Sequence, residues 1–130
     1  MATPEELESM HTLSTATTRY DDLRMRDALA TVGDSSAPPL SREDSLELLA
    51  LSEVITRKAG YGRQAMVRTA RGAGASWTQI GAALGSSKQA AWEAHHRWIE
   101  DQARQHELTG YEGLDAGEVA DARDVAGRPD

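Results

Sequence analysis

The 130-residue chain has no cysteine, so neither a disulfide framework nor a thiolate metal site is open to it. No apolar run approaches the roughly 20 residues needed to cross a bilayer. The opening MATPEELESM lacks the basic and apolar segments of a signal peptide, and a cytoplasmic protein is the expectation. Catalytic signatures are equally scarce. There is no GxSxG elbow, and the carboxylates concentrate in the two ends rather than in a pocket-forming segment. The glycine breaks at Gly60 and Gly72–Gly74 lack the Lys-Ser/Thr ending of a phosphate loop and any flanking strand, so they read as turns. His95 and His96, with His11 and His106, lack HExxH spacing, and adjacent residues on a helix point about 100° apart. No enzyme, cofactor or metal site is expected. No alternating strand pattern follows the helical stretch that ends past Trp98, so no wing is expected.

What charge there is falls in blocks. The formal net charge is −7. Residues 1–56 carry 4 basic and 11 acidic side chains, and residues 99–130 carry 3 basic and 9 acidic. Between them, residues 57–98 hold Arg57, Lys58, Arg63, Arg68, Arg71, Lys88 and Arg97 against Glu93 alone. A positive block inside an acidic chain is the footprint expected of a phosphate-binding face. With no partner it would be an ordinary solvated surface.

The stretch from Gly74 to Trp98 organises the rest. Trp77, Ile80 and Leu84 fall at i, i+3 and i+7, one face of a helix. Gly85 follows, where a left-handed residue closes such a helix, and Ser86 and Ser87 are suitable N-caps for a second one. In that second helix Ala91, Ala94 and Trp98 repeat the inward spacing. Helix, glycine turn, helix is the helix-turn-helix layout. The run SWTQIGAALGSSKQAAW resembles the helix-turn-helix core of small bacterial regulators, common in GC-rich genomes and related to the trihelical fold of sigma-factor region 4 and the homeodomain. The likeness spans about Ala65 to Trp98, roughly a quarter of the chain. Two positions depart from the pattern. Ser86 stands where an aliphatic residue is usual, and Ala91 where Val or Ile is usual. Both thin the inter-helix core, and Trp77 and Trp98 are expected to supply the missing volume. The resemblance implies DNA binding and a nucleoid-associated location, but no particular operator and no sign of regulation.

Around this core the expected fold is all-α: a trihelical helix-turn-helix bundle without a wing, preceded by an amphipathic helix, with flexible acidic N- and C-terminal tails. Residues 1–40 read as an acidic leader, partly helical or disordered. Thr3-Pro4-Glu5-Glu6 is a reasonable helix start, whereas the segment around Leu23, Met25 and Leu29 leaves helix and mobile leader both open. Pro38-Pro39 marks the boundary. Residues 41–108 read as the helical domain, with the helix-turn-helix at about 64–98. Ser41, with Asp44 three residues on, opens a strong helix to about Ala59, whose rows include Leu48, Leu51 and Ile55. That face is either a dimerisation surface or core packed against the helix-turn-helix. The next helix, from Arg63 to Arg71, places Met66, Val67 and Ala70 inward and its arginines in solvent. The last helix continues past Trp98 through Ile99 and Ala103. Residues 109–130 read as a disordered acidic tail. A core of about 65 residues is marginal alone and favours self-association or partner binding.

In a recognition helix the first turn faces base edges. The candidate base contacts are Ser87, Lys88 and Gln89, with Trp92 and Glu93 one turn on, followed by His96. Gln pairs bidentately with adenine, and Lys reaches guanine. Glu93 repels phosphate unless it accepts from cytosine N4. Trp92 either stacks on a sugar or thymine methyl or joins Ile99 in a second apolar stripe that meets a partner subunit. Arg68, Arg71 and Arg97 are the candidate phosphate contacts, with Thr78 and Gln79 donating near a helix N-terminus. Two readings follow: a sequence-specific regulator of double-stranded DNA, expected as a homodimer on paired half-sites, or a protein-interaction module that keeps the fold and binds a protein partner through its acidic arms.

Overall fold

The computed structural model describes residues 2–129, which form seven α-helices and no strand. The all-α expectation holds. The chain divides into two compact units, Met1–Gly62 and Arg63–Asp130, so the boundary lies at Gly62 and not at Pro38-Pro39.

The first unit contains α1 (Pro4–Met10), α2 (Leu13–Thr31) and α3 (Arg42–Tyr61). Thr3 and Glu6 close α1 with a reciprocal capping box, and Thr12 and Thr15 do the same for α2. Ser41 caps α3, accepting from the Asp44 N–H at 3.0 Å. Both α1 and α2 pack on α3. Leu7, Ala16, Leu23, Ala50, Leu51 and Val54 form the core, with Leu48 and Ile55 partly buried against it. The Leu48, Leu51 and Ile55 face is therefore core, and it is filled by α1 and α2 of the same unit. It is not a free dimerisation surface. Residues 1–40 supply half of this core and are not a loose leader. Buried Leu23 and Ala16 hold α2 from within, and ion pairs hold its flank. Arg19 bonds both carboxylate oxygens of Glu47 at 3.0 Å, and Arg26 reaches Asp44 at 3.1 Å.

The second unit contains α4 (Arg63–Gly72), α5 (Trp77–Leu84), α6 (Lys88–Thr109) and α7 (Ala116–Ala126). The long α6 packs on α4, α5 and α7. The residues expected as a disordered tail thus contain a helix. Its N-cap is Asp115, which accepts from the Glu118 N–H at 2.8 Å while Glu118 answers to the Asp115 N–H. Val119, Ala122 and Ala126, at i, i+3 and i+7, are buried in the unit's core. The turn before α7 folds back on α6 through a bond from the Leu114 N–H to the Gln102 carbonyl. Small side chains suffice here because α7 lies close to its neighbours.

Val67, Trp77, Ile80, Ala91 and Ile99 complete this core. Two expected members are outside it: Leu84 is 41% exposed and Met66 59%. On α6 the buried line is Ala91, His95 and Ile99, at i, i+4 and i+8, with Ala94 and Trp98 at its margins. Trp98 packs partly against the core, and Trp77, 1% exposed, supplies most of the volume that Ala91 leaves.

Candidate nucleic-acid interface

The site begins with the joint between α5 and α6. Ser76 and Gln79 form a capping box that starts α5. At its other end Gly85 is left-handed (φ 70°); the Ser86 N–H bonds the Gly81 carbonyl at 2.8 Å and the Gly85 N–H bonds that of Ala82 at 3.2 Å. This is a Schellman closure. Ser87 then caps α6, accepting from the Ala90 N–H at 3.1 Å. Gly81 makes the joint tight. A Cβ there would lie 2.8 Å from the Ser87 carbonyl carbon and 2.9 Å from the Lys88 nitrogen, both backbone atoms. No side chain fits, so the thin inter-helix core is a consequence of close backbone approach. The glycine inside the WTQIGAAL run was the available signal for this, and it is a residue that patterning by apolar spacing passes over.

The expected base contacts divide. Lys88, Gln89, Glu93 and His96 are exposed on α6. The Gln89 amide nitrogen donates to Glu93 at 2.9 Å, a one-turn pair that holds the amide in place at small energy, about 0.2–0.5 kcal/mol. The Ser87 hydroxyl is engaged as a cap. Trp92 lies elsewhere than on an open reading face. Its indole N–H donates to the Gly127 carbonyl at 2.8 Å, its ring stacks on His96 with centroids 5.0 Å apart, and it packs against the core. Trp92 and Ile99 do share a stripe, but it is covered by the core and the end of α7 in the same unit rather than by a partner subunit.

The expected backbone contacts divide as well. Thr78 and Gln79 are exposed at the start of α5, Arg97 is exposed on α6, and Arg68 is half-buried. Arg68 and Arg97 make no ion pair among the described residues. Arg71 is a correction. Its guanidinium donates to the carbonyls of Val125 (3.1 Å) and Ala75 (3.0 Å) and lies 5.7 Å from the Trp77 ring centroid. It is a structural residue, half-buried, with its guanidinium occupied. Arg57 also leaves the positive block, pairing with Glu53 at 3.0 Å and Glu5 at 3.4 Å within the first unit.

The end of α7 is where three side-chain donors converge. Val125, Ala126 and Gly127 present consecutive carbonyls, which accept from Arg71, Trp77 and Trp92, one residue from each of α4, α5 and α6. The Trp77 bond is 2.8 Å and buried. The last carbonyls of a helix have no partners within it, and here other helices provide them.

Buried His95 is the other residue that spacing did not single out. Its ring lies 5.6 Å from Trp77 and 5.4 Å from Trp98, with Nδ1 2.8 Å from the Gln64 side-chain oxygen. A carbonyl oxygen only accepts, so Nδ1 carries the proton, which leaves Nε2 as a buried acceptor without a partner among the described residues. Burial, then the charge of Arg68 and of His96, lowers its pKa from 6.5.

No protein-family model matches the chain, nor does any curated protein or solved structure. No described helix is long and apolar enough to cross a membrane.

Proposed function

We propose that α4, α5 and α6 act as a wingless trihelical helix-turn-helix and that the protein is a sequence-specific regulator binding double-stranded DNA. The single observation that carries this reading is the α5–α6 joint. A left-handed Gly85 and a Gly81 in backbone contact with Ser87 and Lys88 bring the two helices together with the first turn of α6 left in solvent. In such motifs that turn faces base edges. Lys88 and Gln89 are the primary readers. Glu93 holds the Gln89 amide in the unbound protein and accepts from a cytosine N4 amine or disfavours other bases. Ser87 keeps a hydroxyl proton for a phosphate or base while it caps, and His96 lies two turns along. Arg68, Arg97, Thr78 and Gln79 are the backbone contacts. Two copies on paired half-sites provide the affinity that one small module lacks, a homodimer formed without the Leu48–Leu51–Ile55 face, which is occupied.

Selection of bound sequences from a random duplex pool, followed by titration at two salt concentrations, tests the reading. An enriched motif with salt-sensitive affinity is expected, and a palindromic motif with a sedimenting dimer supports the paired arrangement. The competing reading is a protein-interaction module. Its specific support is α7, which folds Glu118, Asp121 and Asp124 onto the same unit as Arg63, Arg68, Lys88 and Arg97. No enrichment and no salt-sensitive binding would favour it, and a pull-down with the intact chain then identifies the partner.

A further inference from the structure

His95 is the buried titratable group that the DNA-binding reading leaves unused. Trp77 of α5 and Trp98 of α6 flank its ring, and its one hydrogen-bond partner, the Gln64 side chain, belongs to α4. A proton on Nε2 would turn an orphaned buried acceptor into an orphaned buried donor bearing charge, the costliest kind of polar group to leave unpaired.

The surroundings offer that charge no counter-ion. The charged group acting on the ring from α4 is Arg68, and on α6 it is His96; both oppose a proton. Helix α5 carries no ionisable side chain, and α7 brings Val119, Ala122 and Ala126 to this core. Glu93 and Glu100, the nearest carboxylates along α6, are bonded to Gln89 and Arg123 instead. The closed structure therefore resists an imidazolium, whereas an opened one would hydrate it.

The element least able to resist opening is α4. Gly81 locks α5 onto α6 through backbone contact, and α7 buries three side chains and accepts from the indoles of Trp77 and Trp92. Helix α4 has ten residues, with Val67 as its buried residue. Arg71 pins its last turn to the Val125 and Ala75 carbonyls, while its first two turns bring Gln64 and Val67 inward. A helix this short is not stable without packing, so turns that leave α6 also melt.

We propose that a proton taken up by His95 releases the first two turns of α4 from α6 while α5, α6 and α7 stay packed, an acid-triggered opening of one helix. On the DNA-binding reading those turns carry Arg68, so acid withdraws a backbone contact. That clause rests on the DNA-binding reading; the release does not, and its test contains no DNA.

The test is amide hydrogen exchange of the full chain between pH 7.5 and 5, corrected for the intrinsic pH dependence of exchange. Below about pH 6.5 the amides from Val67 to Ala70 should lose protection by up to about tenfold per pH unit, as opening driven by one proton requires. Those of Ile99 in α6 and Ala122 in α7 should keep theirs. Gln64→Glu supplies the missing counter-charge at Nδ1 and should hold α4 closed at pH 5, a rescue that a mere packing role for Gln64 would not give. His96→Gln, on the exposed side of α6, should open as the wild type does. Protection of α4 that is unchanged at pH 5, or that falls in step with α6 and α7, overturns the proposal. So does a Gln64→Glu variant that opens like the wild type, or a His96→Gln variant that no longer opens.

Discussion

His95, 1% exposed, lies between Trp77 and Trp98, where burial disfavours its charged form. Its pKa is lowered by burial first, then by Arg68 and His96. The unfolded chain therefore binds the proton more readily, and stability rises with pH in the window below the unfolded value of about 6.5. The contribution is complete above that pH and is lost as pH falls toward the folded value. Carboxylates with lowered pKa, such as Glu47 beside Arg19, lose their contribution only further down, below about 4.5. Urea midpoints followed by tryptophan fluorescence should therefore fall between pH 7 and 5 in the wild type and stay flat in His95→Gln; equal slopes would contradict the assignment. Gly81 makes a second prediction at this scale. Gly81→Ala forces a methyl group onto the Ser87–Lys88 backbone and should cost about 1–3 kcal/mol, in the range for overpacking, measurable by chemical denaturation. Glu93→Ala removes a charge that opposes phosphate, so weak non-specific duplex binding should tighten several-fold at low salt, with no loss of folding.

At the scale of elements, what was legible followed the size of side chains. The caps at Thr3, Ser41, Ser76 and Ser87, the Gly85 turn and the reach of α6 past Trp98 all follow from local pattern, and the structure has them. What was not legible rests on alanine and on long-range bonds. Helix α7 buries two alanines and a valine, which leave almost no hydropathy signal, although Asp115 and Glu118 carry a capping box. Met66 and Leu84 were misplaced for the converse reason: both are large and apolar, and both are left in solvent by helices that pack through smaller residues. Arg71 reads as a phosphate contact, and Trp92 as either a DNA contact or part of a partner-facing stripe, because one-dimensional spacing cannot know that the end of α7 returns to meet them. Removing the Trp77 donor tests this brace. Trp77→Phe keeps most of the ring volume but strands the buried Ala126 carbonyl, and should cost about 1–3 kcal/mol. Exchange of the α7 amides should quicken with it. Unchanged protection would mean that the bond contributes little.

For the whole molecule, the two units have separate cores, and all three tryptophans lie in the second. Leu51, fully buried in the first core, offers a clean probe of that division. Leu51→Ala should destabilise its own unit by about 2–5 kcal/mol, seen by circular dichroism, while the tryptophan fluorescence transition keeps its midpoint. The functional account concerns the second unit alone, with Lys88 and Gln89 on the exposed first turn of α6 as its centre. The most direct measurement is the affinity of the double variant Lys88→Ala/Gln89→Ala for a duplex enriched by the wild-type protein, with near-ultraviolet circular dichroism as the check on folding. The account predicts a folded protein that no longer prefers the enriched duplex over a scrambled one. A folded variant that keeps the full preference would contradict it.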